Sequence, residues 1–551
     1  MRSSRRAFLA QVGAAGAAAA LLPRGLRAAP RAGALALPSA AQAAWQDLEI
    51  GMFVHFGPNT WEDREDGART IRLSAINPAI DTDQWVAVAE SFGARYIVLV
   101  AKHADGFCLW QTATTDYGVR GTPWRSGRGD VMAELSASCA RRGLGLGAYL
   151  SPRDDAFGAG QAGRCATPEA QARYDAVYRR QLTELLTRYG PIMELWFDGS
   201  SVVPTGDLIR RYAPAATVFQ GPQATVRWVG NEDGFAPYPA WNALAGSDAA
   251  TGVATALHGD PDGDVWMPLE VDVSLRRPRW FWSTTNHVNL LSLDALLEIY
   301  YRSVGRGAQL LLNVPPDRTG HVPEADARRV AEFGAAIRRR FGTSLADTGG
   351  RGGAVTVVLP AAHRVDSVLL AEDLAGGERV RAYRLEGRAG GQWTPLGSGS
   401  AIGHKRIQPV GPAEVDAVRL VVTASAAEPL IARLAVFDTG VAPPAAWAEP
   451  APVWADNAVG HWSHGALVLD LSKAIAAPGT YRLRLVSGTG DRVVLQAPVL
   501  WVGGRAQPQL VRAEAGRADA LRLTITEIGR GIAIRGTIRG AGRGTVLLRR
   551  L

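Results

Sequence analysis

The sequence predicts an α/β fold, a (β/α)8-like barrel followed by C-terminal β-sandwich domains, and three observations predict it. From residue 45 to 342, short apolar runs of strand type alternate with amphipathic helical segments. Polar residues able to do chemistry stand at the ends of those apolar runs. Beyond about residue 345 helical periodicity gives way to short alternating strands separated by turn residues.

The chain of 551 residues is too long for one ordinary domain. Residues 1–44 are set aside from the fold. Arg5-Arg6 precedes an Ala-rich apolar stretch through Leu22, and small residues follow between Ala36 and Ala44. This reads as a twin-arginine export signal and predicts a periplasmic or secreted protein. The apolar run is too short for a convincing membrane span, so the mature protein is expected to have none. The net charge of +8 comes from scattered Arg, without the clustered basic footprint of a nucleic-acid-binding protein. The three cysteines, Cys108, Cys139 and Cys165, supply neither a disulfide framework nor metal-ligand spacing. No metal and no cofactor are expected.

The first strand, Gly51–Gly57, carries His55. Tyr96–Ala101 is apolar throughout, as in a parallel strand covered on both faces, and leads into Lys102-His103-Ala104-Asp105. Leu144–Leu150 leads into Ser151-Pro152-Arg153-Asp154, and Ile192–Phe197 into Asp198-Gly199. Leu310–Val314 is a later strand. Helical patterns over Thr82–Phe92, Val131–Arg142 and Tyr174–Tyr189 separate them. With no Gly-rich phosphate loop after the first strand, the nucleotide-binding variant of such a fold loses ground. A barrel draws its active site from the C-terminal ends of its strands, which gathers residues distant in sequence.

The strands Val355–Leu359, Val365–Leu370, Arg379–Leu385 and Ala417–Val422 predict a β-sandwich over residues 346–439. Residues 440–452, rich in Pro and Ala, read as a linker, and residues 453–551 as another β domain of unassigned role. Its aromatics Trp454, Trp462 and Trp501 could bind sugar or simply pack.

Asp198 is the foremost candidate for chemistry. A carboxylate at the end of a buried strand is costly unless it is used or paired, although an Asp there could also cap a helix. Hydrolysis of a glycoside with retention needs a second carboxyl group about 5–5.5 Å from the nucleophile, to protonate the leaving oxygen and then activate water. Glu232, in Arg227-Trp-Val-Gly-Asn-Glu232, and Glu270, in Trp266-Met-Pro-Leu-Glu270, are the candidates, each beside a Trp-containing apolar run. Each could instead pair with an arginine.

Several of these strings, taken together and in this order, resemble the α-L-fucosidases of glycoside hydrolase family 29. They are Gly-Met-Phe-Val-His-Phe-Gly (51–57), Ala-Lys-His-Ala-Asp-Gly-Phe-Cys-Leu-Trp (101–110), Trp-Phe-Asp-Gly (196–199), Arg-Trp-Val-Gly-Asn-Glu (227–232) and Leu-Leu-Leu-Asn-Val-Pro-Pro (310–316). Within the family, Cys-Leu-Trp and the Asn-Glu segment look like the branch preferring α-1,3/1,4-linked fucose. Residues 346–439 look like a galactose-binding-like sandwich. The resemblance implies a retaining exo-enzyme acting on fucosylated oligosaccharides or glycoconjugates, with Asp198 as nucleophile and Glu232, or else Glu270, as acid/base. It implies that His55 and His103 hold fucose hydroxyls, with Trp61, Glu65, Tyr149 and Trp110 as further substrate-binding residues. The chain departs from the family pattern at Ala104, Arg153, Asp155 and Asp66. A hydrolase of shifted sugar specificity and a glycan-binding protein without turnover remain as alternative readings.

Overall fold

The computed structural model describes residues 35–249, 258–285, 289–441, 457–472, 475, 479–487, 493–514, 517–525 and 531–550. Two compact units divide them. The first takes the residues up to 441 apart from a short segment at 258–260, and the second takes that segment and the residues from 457 on.

Eight parallel strands form the centre of the first unit: β1 (Ile50–Val54), β2 (Tyr96–Lys102), β3 (Gly145–Leu150), β4 (Ile192–Trp196), β5 (Thr217–Phe219), β6 (Arg227–Trp228), β7 (Leu269–Ser274) and β8 (Gln309–Asn313). Their order is β5-β4-β3-β2-β1-β8-β7-β6. A bridge between Phe219 and Val226 brings the two edges together, so the sheet is a nearly closed barrel. Helices α1 (Thr82–Ser91), α2 (Val131–Arg142), α3 (Pro168–Arg188), α4 (Gly206–Tyr212), α5 (Leu293–Arg302) and α6 (Glu324–Phe341) fill the connections. Asp81, Asp130, Thr167 and Ser292 cap α1, α2, α3 and α5 through side-chain oxygens on first-turn amides.

Strand alternation creates two cores. Ile97, Leu99, Leu146, Leu195, Val271, Val273 and Leu312 pack outward against the helices. Phe53, Tyr96, Val98, Val100, Tyr149, Trp196, Phe219 and Leu311 fill the barrel interior. The rings there are large, and β1 makes room with Gly51, where a Cβ would run into the Tyr96 ring.

Residues 35–44, expected within the leader, are placed in this fold. Ser39 caps a helix over Ala40–Gln46, Gln42 donates to the carbonyls of Thr225 and Trp266, and Trp45 donates its indole N–H to Glu194 inside the barrel. A cut as late as residue 44 would remove the cap and the Gln42 bonds.

Beyond the barrel the first unit continues as a six-stranded antiparallel sheet: β9 (Ala346–Arg351), β10 (Ala354–Glu372), β11 (Val380–Ala389), β12 (Gln392–Gly399), β13 (Arg406–Ser425) and β14 (Leu430–Phe437). The long strands β10 and β13 shift register between Val358 and His363, and a core of Val355, Val368, Leu385, Leu420 and Val436 lies on them. Asn242 donates to Glu378 at 2.6 Å and the Arg406 guanidinium lies over the Tyr238 ring, which fastens this sheet to the barrel. The second unit holds a seven-stranded antiparallel sheet with its own apolar core, including Leu483, Leu523 and Ile534. Trp501 is half-buried there beneath Arg535. Trp454 and the Trp462 side chain lie outside the described residues. Among the described residues no helix is long and apolar enough to cross a membrane.

Candidate active site

Alternation along β4 aims Leu195 and Phe197 at the helices, which leaves Glu194, Trp196 and Asp198 on the inner face, deep, middle and outermost. Asp198 keeps solvent access at the mouth. It nevertheless stands among enough protein that loss of hydration is the main influence on its carboxyl, raising its pKa against the opposing Tyr149 hydrogen bond. Tyr149 Oη donates to Asp198 Oδ2 at 3.1 Å. The turn that follows needs Gly199, whose φ is +70° and where a Cβ would collide with Gln161. Gln220 Oε1 accepts the Gly199 amide at 2.7 Å.

Around Asp198 the inner face is aromatic and imidazole-rich. Tyr149 stacks on Trp196, with centroids 5.9 Å apart, and on His103 at 5.8 Å. His55 lies 5.9 Å from His103, and Asn313 Oδ1 takes its Nδ1 at 2.8 Å. Trp280 and Phe281 close over His55 at 5.1 and 5.3 Å. Burial holds the His55 pKa well below its usual value and lowers that of His103 to about 4, so both rings are neutral at ordinary pH. A neutral imidazole both donates and accepts, which suits a sugar hydroxyl. His103 Nδ1 and Glu65 Oε1 are buried without a hydrogen-bond partner, as expected of groups that a ligand completes. Burial also raises the Glu65 pKa to about 7, while the Trp280 amide donates to its Oε2.

Glu232 follows β6 into the same mouth, and its charge acts on Asp198. Arg277 orients it at 3.0 Å and takes Asp233 with its other arm. Glu270 is placed differently. It is fully buried in the barrel interior, accepts the Trp196 indole N–H at 2.7 Å and faces Glu194. Desolvation and the opposed charge push it far toward its protonated form. With Trp196 above it, Glu270 is removed from the mouth as an acid/base.

Trp110 also departs from expectation. It is 0% exposed, packed on the helix side of β2, with its indole N–H on Glu184 of α3 at 3.0 Å. It is a structural residue and does not reach a substrate. Trp61 is half-buried against Phe56, in a short helix over Pro58–Glu62 that follows β1. Lys102, at the end of β2, turns outward because the strand shifts register between Val100 and Lys102. It pairs with Asp154 at 2.9 Å and sits against the rings of Tyr174 and Tyr178. His103 takes the inner face in its place.

Sequence reasoning passed over Asp272, Asn313 and Trp280. Asp272 and Asn313 lie on the inner faces of β7 and β8, legible only from the alternation about Val271, Val273 and Leu312. Trp280 arrives from a loop, for which no periodicity could have signalled a role. The four departures from the family pattern cluster beside His103. Arg153 grips Asp155 with two bonds of 2.8 Å and approaches Asp66 at 3.6 Å, while the Asp155 amide donates to Ala104. Among the described residues no group of three or more ligating side chains could hold a metal.

A parallel barrel whose mouth gathers an accessible carboxylate, a second carboxyl group, neutral histidines and stacked aromatic rings has the build of a glycoside hydrolase. The sequence profile described as Alpha-L-fucosidase matches residues 77–340. Alpha-L-fucosidase 1 of Arabidopsis thaliana is 34% identical over 454 residues, covering 73% of this chain and 88% of the relative. A glycoside hydrolase 29 family member from a rumen bacterium superposes with a TM-score of 0.67 at 26% identity, over 94% of this chain and 96% of that one. A Ruminococcus gnavus GH29 fucosidase, solved with fucose, gives 0.66 at 27% identity, over 75% and 98%. The chain belongs to the α-L-fucosidase family of glycoside hydrolases.

Proposed function

We propose that this α-L-fucosidase works with retention of configuration on terminal α-1,3/1,4-linked fucose, with Asp198 as nucleophile and Glu232 as acid/base. The observation that carries the reading is the pairing of Asp198, held by Tyr149 at 3.1 Å, with Glu232 close enough for its charge to be felt. Asp198 attacks the anomeric carbon as Glu232 protonates the departing glycosidic oxygen. Glu232 then takes a proton from water, which attacks the same carbon and frees Asp198. His55, His103 and Glu65 receive the fucose hydroxyls, and Trp280 and Phe281 shield the reacting face. Fucose release from a Lewis-type trisaccharide and from 2-linked fucosyl lactose tests the linkage. Release from the first alone, lost in Asp198→Ala and in Glu232→Ala, supports the assignment. Azide added to Asp198→Gly separates the mechanisms, because a retaining site should yield a fucosyl azide of inverted configuration.

Shifted sugar specificity has one observation in its favour, the Arg153–Asp155–Asp66 cluster beside His103. Release of another 6-deoxy or galactose-configured sugar in preference to fucose would establish it. Arg5-Arg6 and the apolar stretch after it support export through the twin-arginine route, tested by following the protein into the periplasm with and without an Arg5→Lys, Arg6→Lys change.

A further inference from the structure

The inner face of β7 presents Glu270, Asp272 and Ser274 in ascending order, since Leu269, Val271 and Val273 pack outward. The outer two rungs have visible tasks. Glu270 faces Glu194 under Trp196, and Ser274 accepts from Asn313, which positions His55. Asp272, only 4% exposed, takes no part in the mechanism above. Trp228 Nε1 donates to its Oδ1 at 2.6 Å, and its other oxygen has no side-chain partner among the described residues. No cation faces it. The charged groups acting on it are Glu232, from the segment after β6, and Asp198, from the end of β4, while Glu270 lies below on its own strand. Arg277 pairs with Glu232 and Asp233.

We propose that Asp272 is a further substrate-binding residue of this site, its carboxyl group donating a hydrogen bond through Oδ2 to an oxygen of the sugar that occupies the mouth, while Trp228 holds Oδ1. The inference rests on the glycosidase reading of that mouth. Burial among carboxylates raises the Asp272 pKa to about 8, so the proton to be donated is present at neutral pH. A sugar hydroxyl or ring oxygen in the mouth supplies an acceptor for this donor. Above the pKa the donor is lost and a negative charge takes its place.

Calorimetric titration of the full chain with L-fucose at pH 6 and pH 9 tests this. The wild type should bind about tenfold more weakly at pH 9, the worth of one hydrogen bond. Asp272→Asn keeps an acceptor for Trp228 and a donor for the sugar, so it should escape that tenfold loss and keep only the change that Glu65, whose pKa is raised to about 7, imposes on both proteins. Asp272→Ala should bind weakly at both values. An Asp272→Asn profile that follows the wild type, or tighter wild-type binding at pH 9, overturns the role of Asp272 and leaves the fucosidase reading intact. No fucose binding by the wild type at pH 6 overturns both. Should Asp272→Ala fail to fold, the comparison of Asp272→Asn with wild type decides alone.

Discussion

Tyr149 Oη donates to Asp198 Oδ2 at 3.1 Å, from the end of one barrel strand to the end of the next. The phenol also stacks between Trp196 and His103, so the hydrogen bond to Asp198 is anchored to the aromatic interior of the barrel. Two influences meet on Asp198. Desolvation raises its pKa and the phenol opposes it, with desolvation the stronger.

Tyr149→Phe should preserve the stack and remove only the bond. A hydrogen bond to a charged group contributes about 1.5–3 kcal/mol, so kcat should fall roughly 10- to 100-fold. Asp198 would then hold its proton to higher pH. The acid limb of the kcat/KM profile should therefore move upward, and an unmoved limb would separate Tyr149 from the ionisation of Asp198.

Glu270→Gln and Glu232→Gln should separate the two candidate acids. Replacing an acid/base costs about 10²–10⁴-fold in rate, which is the loss expected for Glu232→Gln. Glu270→Gln should stay within tenfold of wild type, because Glu270 supports Trp196 from below. Stability carries a second signature. Glu270 stays protonated in the folded state above the pH at which it ionises in the unfolded chain, so its burial destabilises increasingly as pH rises past about 4.5. The gain in Tm for Glu270→Gln should consequently be larger at pH 7 than at pH 4.

His103 has the opposite sign. Its pKa falls from 6.5 to about 4 on folding, so the unfolded chain binds a proton that the folded one refuses. Stability should decline as pH drops from 6.5 toward 4, and His103→Gln should flatten that slope in a Tm series. Asp66 and Asp155 favour the charged ring while Arg153 opposes it. Arg153→Ala should raise the His103 pKa, visible in its imidazole proton resonances.

Trp110→Phe should lower Tm and leave KM for a fucoside unchanged. The substitution strands a buried Glu184 oxygen, worth about 1–3 kcal/mol, at a position facing α3 and away from the mouth. A changed KM with an unchanged Tm would return Trp110 to the substrate.

Strand–helix alternation, the apolar runs of β2 and β4 and the strand-end residues His55, His103 and Asp198 were all readable from the sequence. They are local: an apolar run needs burial on both faces, and a polar residue just past it falls at a strand end. The family strings ranked Glu232 ahead of Glu270. What tertiary structure decided was which polar residues share a volume. A register shift of β2 turned Lys102 outward and His103 inward. Two carboxyl groups, Glu232 and Glu270, both stand beside Trp-containing runs, yet one opens to the mouth and the other faces Glu194 beneath Trp196. Trp110 looked like a ring for sugar until α3 covered it. Strand spacing fixes the face on which a residue stands, but depth along the barrel and the cover supplied by distant helices and loops arise only when the sheet closes, and these decide whether a carboxyl group meets water, a sugar or another acid.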